Sequence, residues 1–233
     1  MSLQDENIKL KAQLEHAREW MKKEIEGGKH DYSEVIQERI YSFFPPESLS
    51  HFPNYGVENI VSAELVYKHL LEGENIDGVG VIIGYQKIID QMIELYITKG
   101  FRKYAQKHSK NISNINDPLE KSLRLIIEKK HIFSLGRFYG ALKIISAGGA
   151  KSGYLYEFSS YLKSRVFLQK SLLESTFLLQ LQGLIDLHAV TDKRHSGTLS
   201  KKDTSSARSI IIGDFKDTNC LLYILAASQN TDI

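Results

Sequence analysis

Apolar residues recur at three- and four-residue intervals along nearly all of the 233-residue chain, and strict alternation is almost absent. That spacing gathers an apolar stripe on one side of each helix and predicts an all-α protein. In residues 3–26, Leu3, Asn7, Leu10, Leu14, Ala17 and Met21 fall on a/d heptad positions, and Gly27-Gly28 supplies a stop. The segment reads either as a short coiled coil or as an amphipathic helix lying on the body. It makes residues 1–29 an N-terminal helical arm ahead of a helical domain over 30–233.

Pro45-Pro46 ends a predicted helix from Ser33 to Phe43, and a loop from Glu47 to Tyr55 leads into a helix over 57–71. After a turn at 73–77, the segment from Asp77 to Tyr96 is too continuously apolar for a surface helix and is expected at the centre. Its Gly80 and Gly84 suit either the close approach of a neighbouring helix or the tolerance of a helix start. A basic helix over 98–110 and a polar loop over 111–117 follow, with Pro118 placed for a first helical turn. Helices over 119–129, 133–146, 154–167, 169–190, 203–212 and 218–227 complete the reading.

A hydrophobic content of 42% is enough for a sizeable core. Overall charge is near balance, with 30 basic against 28 acidic side chains, but residues 1–77 carry 15 acids and 8 bases (net −7), leaving 13 acids and 22 bases (net +9) for the rest. That asymmetry suits an acidic arm folded over a basic body, or a basic surface kept for an anionic partner. Cys220 is the only cysteine, which excludes an intrachain disulfide and points to a small buried hydrophobe in a reducing compartment. No apolar run reaches the roughly 18–20 residues of a membrane span, and no signal pattern opens the chain, so a soluble cytoplasmic protein is expected. The eight histidines lack helical pairing with carboxylates, so neither a metal nor another cofactor is expected.

Between residues 98 and 110, Lys99, Arg102, Lys103, Lys107 and Lys110 interleave with Phe101, Tyr104 and His108 without one acid. Arg102, Lys103, Tyr104, Lys107 and His108 are therefore candidate nucleic-acid-binding residues, the cations holding phosphates and the rings stacking on bases. A solvated helix end whose cations complement the dipole has the same composition. Gly148-Gly-Ala-Lys-Ser152 lacks the second glycine of a nucleotide-binding loop, since Ala150 precedes Lys151, and its flanks are helical.

From Leu187 to Thr204 an apolar helix runs into Arg194-His195, a Ser-Gly break and a new helix start. His195-Ser-Gly-Thr-Leu-Ser-Lys-Lys-Asp203, followed by Ala207-Arg-Ser-Ile-Ile-Ile-Gly213, resembles the helix-end layout of the HEPN superfamily, with Ser200 as N-cap and Asp203 at the capping-box position. Asp77, Tyr85, Lys87 and Asp90, and further on Ser134-Leu-Gly136, resemble earlier family helices, so the likeness spans residues 57–227. The resemblance implies a HEPN-like helical bundle, a homodimer, and RNA or an operon-encoded protein as partner in toxin–antitoxin or phage defence.

In active members a histidine moves a proton at the ribose 2′-hydroxyl or the leaving oxygen while an arginine stabilises the phosphorane, without metal. The resemblance makes His195 and Arg194 the catalytic candidates. Five residues before His195, where the family's arginine stands, this chain has Val190, and Thr191 follows it. Adjacent helical residues point about 100° apart, so Arg194 and His195 share one phosphate only if the helix ends between them. Arg102 and His108 also fit Arg-x(4–6)-His, on an earlier helix than the family's. The departure predicts a non-catalytic module. The alternatives are a metal-independent endoribonuclease using His195 and Arg194, and a structural helical adaptor built on the N-terminal heptads.

Overall fold

The computed structural model describes residues 32–73, 76–108, 117–187 and 199–229, and these form helices joined by turns with no strand among them. The all-α expectation holds for the described residues. The heptad segment of the arm lies outside them.

Helix α1 (Tyr32–Phe43) stops ahead of Pro45-Pro46, and one helical turn, α2 (Pro46–Leu49), occupies the start of the expected loop. Next come α3 (Gly56–Leu71) and α4 (Val79–Met92). Without a break in helical backbone, α4 passes through a π-helical segment, Ile93–Thr98, into α5 (Lys99–His108). The central and the basic helix of the sequence reading are thus one continuous run, joined by a widened turn. Pro118 opens α6 (Pro118–Ile127), where the Asp117 carboxylate accepts from the amides of Leu119 and Glu120 at 2.9 Å each.

Beyond α7 (Leu135–Ser146) and α8 (Gly153–Lys163), the chain departs twice from the expected helices. The chain turns at Arg165 (φ −127, ψ 81), which places Phe167 in a separate helix, α9 (Val166–Leu173). Glu174 (φ −65, ψ 139) then interrupts the helix predicted over 169–190, and α10 (Ser175–Asp186) follows. Leu168 and Leu172 before the second break and Phe177, Leu181 and Leu184 after it all face the core, so the apolar rhythm crosses a residue that has left helical backbone. Ser200 caps α11 (Lys201–Ile212) by accepting from the Asp203 amide at 3.1 Å, a 3₁₀ turn covers Gly213–Phe215, and α12 (Leu221–Ala227) closes the described chain.

Helix α4 lies at the centre, packed against α3, α11 and α12, with Val81, Ile82, Tyr85, Ile88 and Ile89 at most 1% exposed. A Cβ on Gly84 would lie 3.1 Å from that of Ala63, so here the glycine does permit α3 to approach closely, whereas one on Gly80 would meet Val66 at an ordinary 3.8 Å. Aromatic rings fill two regions. Phe43, Phe44, Phe52, Phe215 and Tyr223 form one, and Phe101, Phe133, Phe138, Phe158, Tyr161 and Phe177 the other. Among the described residues no helix is long and apolar enough to cross a membrane.

Cys220 is fully buried, and burial pushes its thiol up to about 12. Thiolate is the reactive form. The native protein is therefore expected to resist a disulfide reagent at pH 8 and to release one thiol equivalent once unfolded in denaturant. Rapid labelling of the folded protein would contradict this.

Candidate nucleic-acid interface

On α5 the spacing i, i+4, i+8 sets Lys99, Lys103 and Lys107 on one exposed side, while Phe101 and Ala105 bury the opposite side. Tyr104 is half-buried between two rings, stacked on His108 at 4.3 Å and tilted against Tyr161 at 5.8 Å. His108 is exposed, and its Nδ1 lies 2.9 Å from the Tyr104 carbonyl, which makes Nδ1–H the donor. Lys103, Lys107 and His108 thus present polar tips to solvent, and Tyr104 offers one edge.

Arg102 is placed differently. Its Nε donates to the Ile126 carbonyl at 2.8 Å, one terminal nitrogen to the His131 carbonyl at 2.8 Å and the other to Glu94 at 2.5 Å. The guanidinium therefore satisfies carbonyls at the C-terminal end of α6 and fastens that end to the π-helical segment. It joins elements, and its side chain is only 13% exposed. The residue brought out as a phosphate ligand by composition is occupied in holding the lobe together.

That lobe is strongly basic. Residues 99–170 carry 15 Lys and Arg against 4 Asp and Glu (net +11), so the remainder of 78–233 has 7 bases and 9 acids. Of the charges in 99–170, 12 bases and the 4 acids (net +8) lie on or between helices α5, α6, α7 and α8 among the described residues, and those helices pack on one another. Three of the four acids are engaged. Asp117 caps α6, Glu120 accepts from the amides of Tyr154 (2.6 Å) and Leu155 (3.1 Å) at the start of α8, and Glu128 pairs with Lys130 at 2.8 Å. Lys130, first, and Arg124 also hold the exposed Glu128 carboxyl below its usual value. Lys99, Lys103, Lys107, Lys121, Lys129 and Lys163 are exposed on the same lobe.

A second charged constellation went unmarked in the sequence reading. Glu64 on α3 and Arg208 on α11 form a buried bidentate pair at 2.6 and 2.7 Å, their side chains 7% and 8% exposed. The Tyr85 hydroxyl of α4 donates to the same carboxylate, and Asp214 takes the remaining side of the guanidinium. Burial, then the Glu64 charge, raises the Tyr85 hydroxyl well above its ordinary value and keeps it a donor. Burial alone would weaken the Arg208 charge, but the hydrogen bonds to Glu64 and the negative groups around it outweigh that and raise its pKa. The guanidinium also lies over the rings of Tyr67 (4.7 Å) and Phe215 (5.7 Å). Gly213, Asp214 and Phe215 follow at φ 61, 53 and 57, a left-handed turn that brings Asp214 and Phe215 onto Arg208. The available signal was a charged residue on each apolar stripe: Glu64 beside Ile60 and Ala63, and Arg208 beside Ala207 and Ile211.

Arg194, His195, Val190 and Thr191 lie outside the described residues, as does Lys110. The chain beyond them is anchored, since the Leu199 amide donates to Asp77 Oδ1 at 2.8 Å and the same oxygen accepts from the Val79 amide at 3.0 Å. Asp77, read from the family likeness, thus ties the first amide of α4 to the approach to α11. A Cβ on Gly78 would lie 1.8 Å from the Thr204 hydroxyl, so no larger residue fits at that junction. Among the described residues no cluster of His, Cys, Asp and Glu could hold a metal ion. Compared with family models, curated proteins and solved structures, the chain matches none.

Proposed function

We propose that this chain is a HEPN-like helical module that binds single-stranded RNA through the lobe of α5 to α8 and does not itself cleave it. One observation carries the reading: 12 Lys and Arg against 4 Asp and Glu (net +8) on or between the packed helices α5 to α8, with most of those acids tied into caps and pairs. Such a lobe attracts a polyanion, because binding releases the counterions condensed along the strand. Lys99, Lys103 and Lys107 would meet phosphates, and Tyr104 with His108 would offer a ring edge to unstacked bases. The resemblance over residues 57–227 directs the choice of RNA, and with it a cytoplasmic homodimer in a defence or toxin–antitoxin setting. The hydrophobic residue Val190 in place of the family's arginine supports the non-catalytic part.

The test is binding of a labelled single-stranded RNA to the full chain in EDTA, at about 50 and about 200 mM salt. Intact RNA and an affinity that falls steeply with salt are expected. No binding at the lower salt would overturn the reading. Cleavage in EDTA that disappears in His195→Ala would replace it with the ribonuclease alternative.

A further inference from the structure

Between the loop that follows α2 and the run of α4 into the π-helical segment lies an open groove of about 800 Å³. Phe52, Leu95, Tyr96 and Ile132 give it apolar walls, and Leu95 is 37% and Ile132 52% exposed. Exposed aliphatic side chains scattered singly need no explanation, but these two share one groove with two rings. Both rings are braced by neighbours, Phe52 edge-on to Phe44 at 4.9 Å and Tyr96 edge-on to His51 at 6.0 Å. Asn54, exposed on the same lining, adds a side-chain amide that can both donate and accept.

Charge separates the groove from what adjoins it. Asp90 and Glu94 line it together with Lys87, but Arg102 holds Glu94 at 2.5 Å and Asp90 has an interaction of its own within the chain. Counting Arg102 with the carboxylate it holds, these four side chains carry no net charge. Lys99 then stands four residues after Leu95, and Lys103 and Lys107 repeat the interval, about 6 Å of helix rise per step. The exposed lysine side of α5 thus begins where the groove ends. Lys129, also exposed, stands three residues before Ile132.

A phosphate gains little between apolar walls without net charge and much more on the lysines beside them. An unstacked base is the opposite case, with apolar faces to lay on a ring and polar edges for an amide. A single strand carries both groups side by side. We propose that the groove receives unstacked bases of the strand whose phosphates follow Lys99, Lys103 and Lys107, so that the protein contacts bases as well as charge. The inference rests on the reading of the lobe as RNA-binding and adds to it a second, uncharged part of the site.

The test compares the affinity of the full chain for a single-stranded RNA and for an abasic strand of the same length, in EDTA at about 50 mM salt. The two strands offer the same phosphates, so the lysines act on both alike. The RNA is expected to bind at least tenfold more tightly, with a similar salt slope. Tyr96→Ala should remove most of that difference, and Ile132→Ser, at an exposed position, should narrow it without lowering the melting temperature of the free protein. Equal binding of the two strands would overturn the proposal and leave the lobe reading standing, as would a difference that persists in both variants. Binding of neither strand would overturn both.

Discussion

Glu64→Leu is expected to destabilise the protein by about 3–5 kcal/mol, because it leaves the Arg208 guanidinium buried without its bidentate partner. For a chain of this size that corresponds to a fall of roughly 6–20 °C in Tm, readable by calorimetry or a circular-dichroism melt. The double variant Glu64→Leu/Arg208→Met should recover part of the loss, since it removes both desolvated charges, and the cycle would measure their coupling. A single-variant loss under about 1 kcal/mol would show that water or Asp214 compensates Arg208 fully. The hub also sets an alkaline limit. Tyr85 has a folded pKa raised above its unfolded value of about 10, so its contribution is complete below that pH and is lost as pH climbs beyond it.

Reversing three charges on α5 should have the largest effect on binding. If Lys99, Lys103 and Lys107 each neutralise one phosphate, changing all three to Glu removes three released counterions. The slope of log affinity against log salt should then shrink by about 2 for a single strand. The three side chains are exposed, so stability should scarcely change. Arg102→Gln provides the contrast. It should leave the slope nearly intact and loosen the junction of α5 with α6, because its donors already serve Ile126, His131 and Glu94. A slope unchanged in the triple variant would mean that the strand does not run over α5.

The partition of these roles shows where reading along the chain succeeds. Helix starts are set within three residues, and so Ser200 over Asp203 and Pro118 in a first helical turn were legible from local order alone. The exposed lysine side of α5 was legible for the same reason, because helical spacing sets which residues share a side. Gly84 required one further fact, that α3 lies against α4 there, and the sequence left its two readings open.

Elsewhere the deciding partner lies far off in sequence. Arg102 has the composition of a phosphate ligand until the C-terminal end of α6 is laid beside it, 24 residues on, and offers it carbonyls. Glu64 and Arg208 are 144 residues apart, and each taken alone is a charge misplaced on an apolar stripe. The break at Glu174 was hidden because hydrophobic periodicity registers which way side chains face and not whether one backbone unit stays helical. Composition and periodicity thus determine the helical class, most element positions and the basic character of one region, since these follow from interactions within a turn or two. Which cations remain available to a partner depends on groups that meet only when distant helices pack.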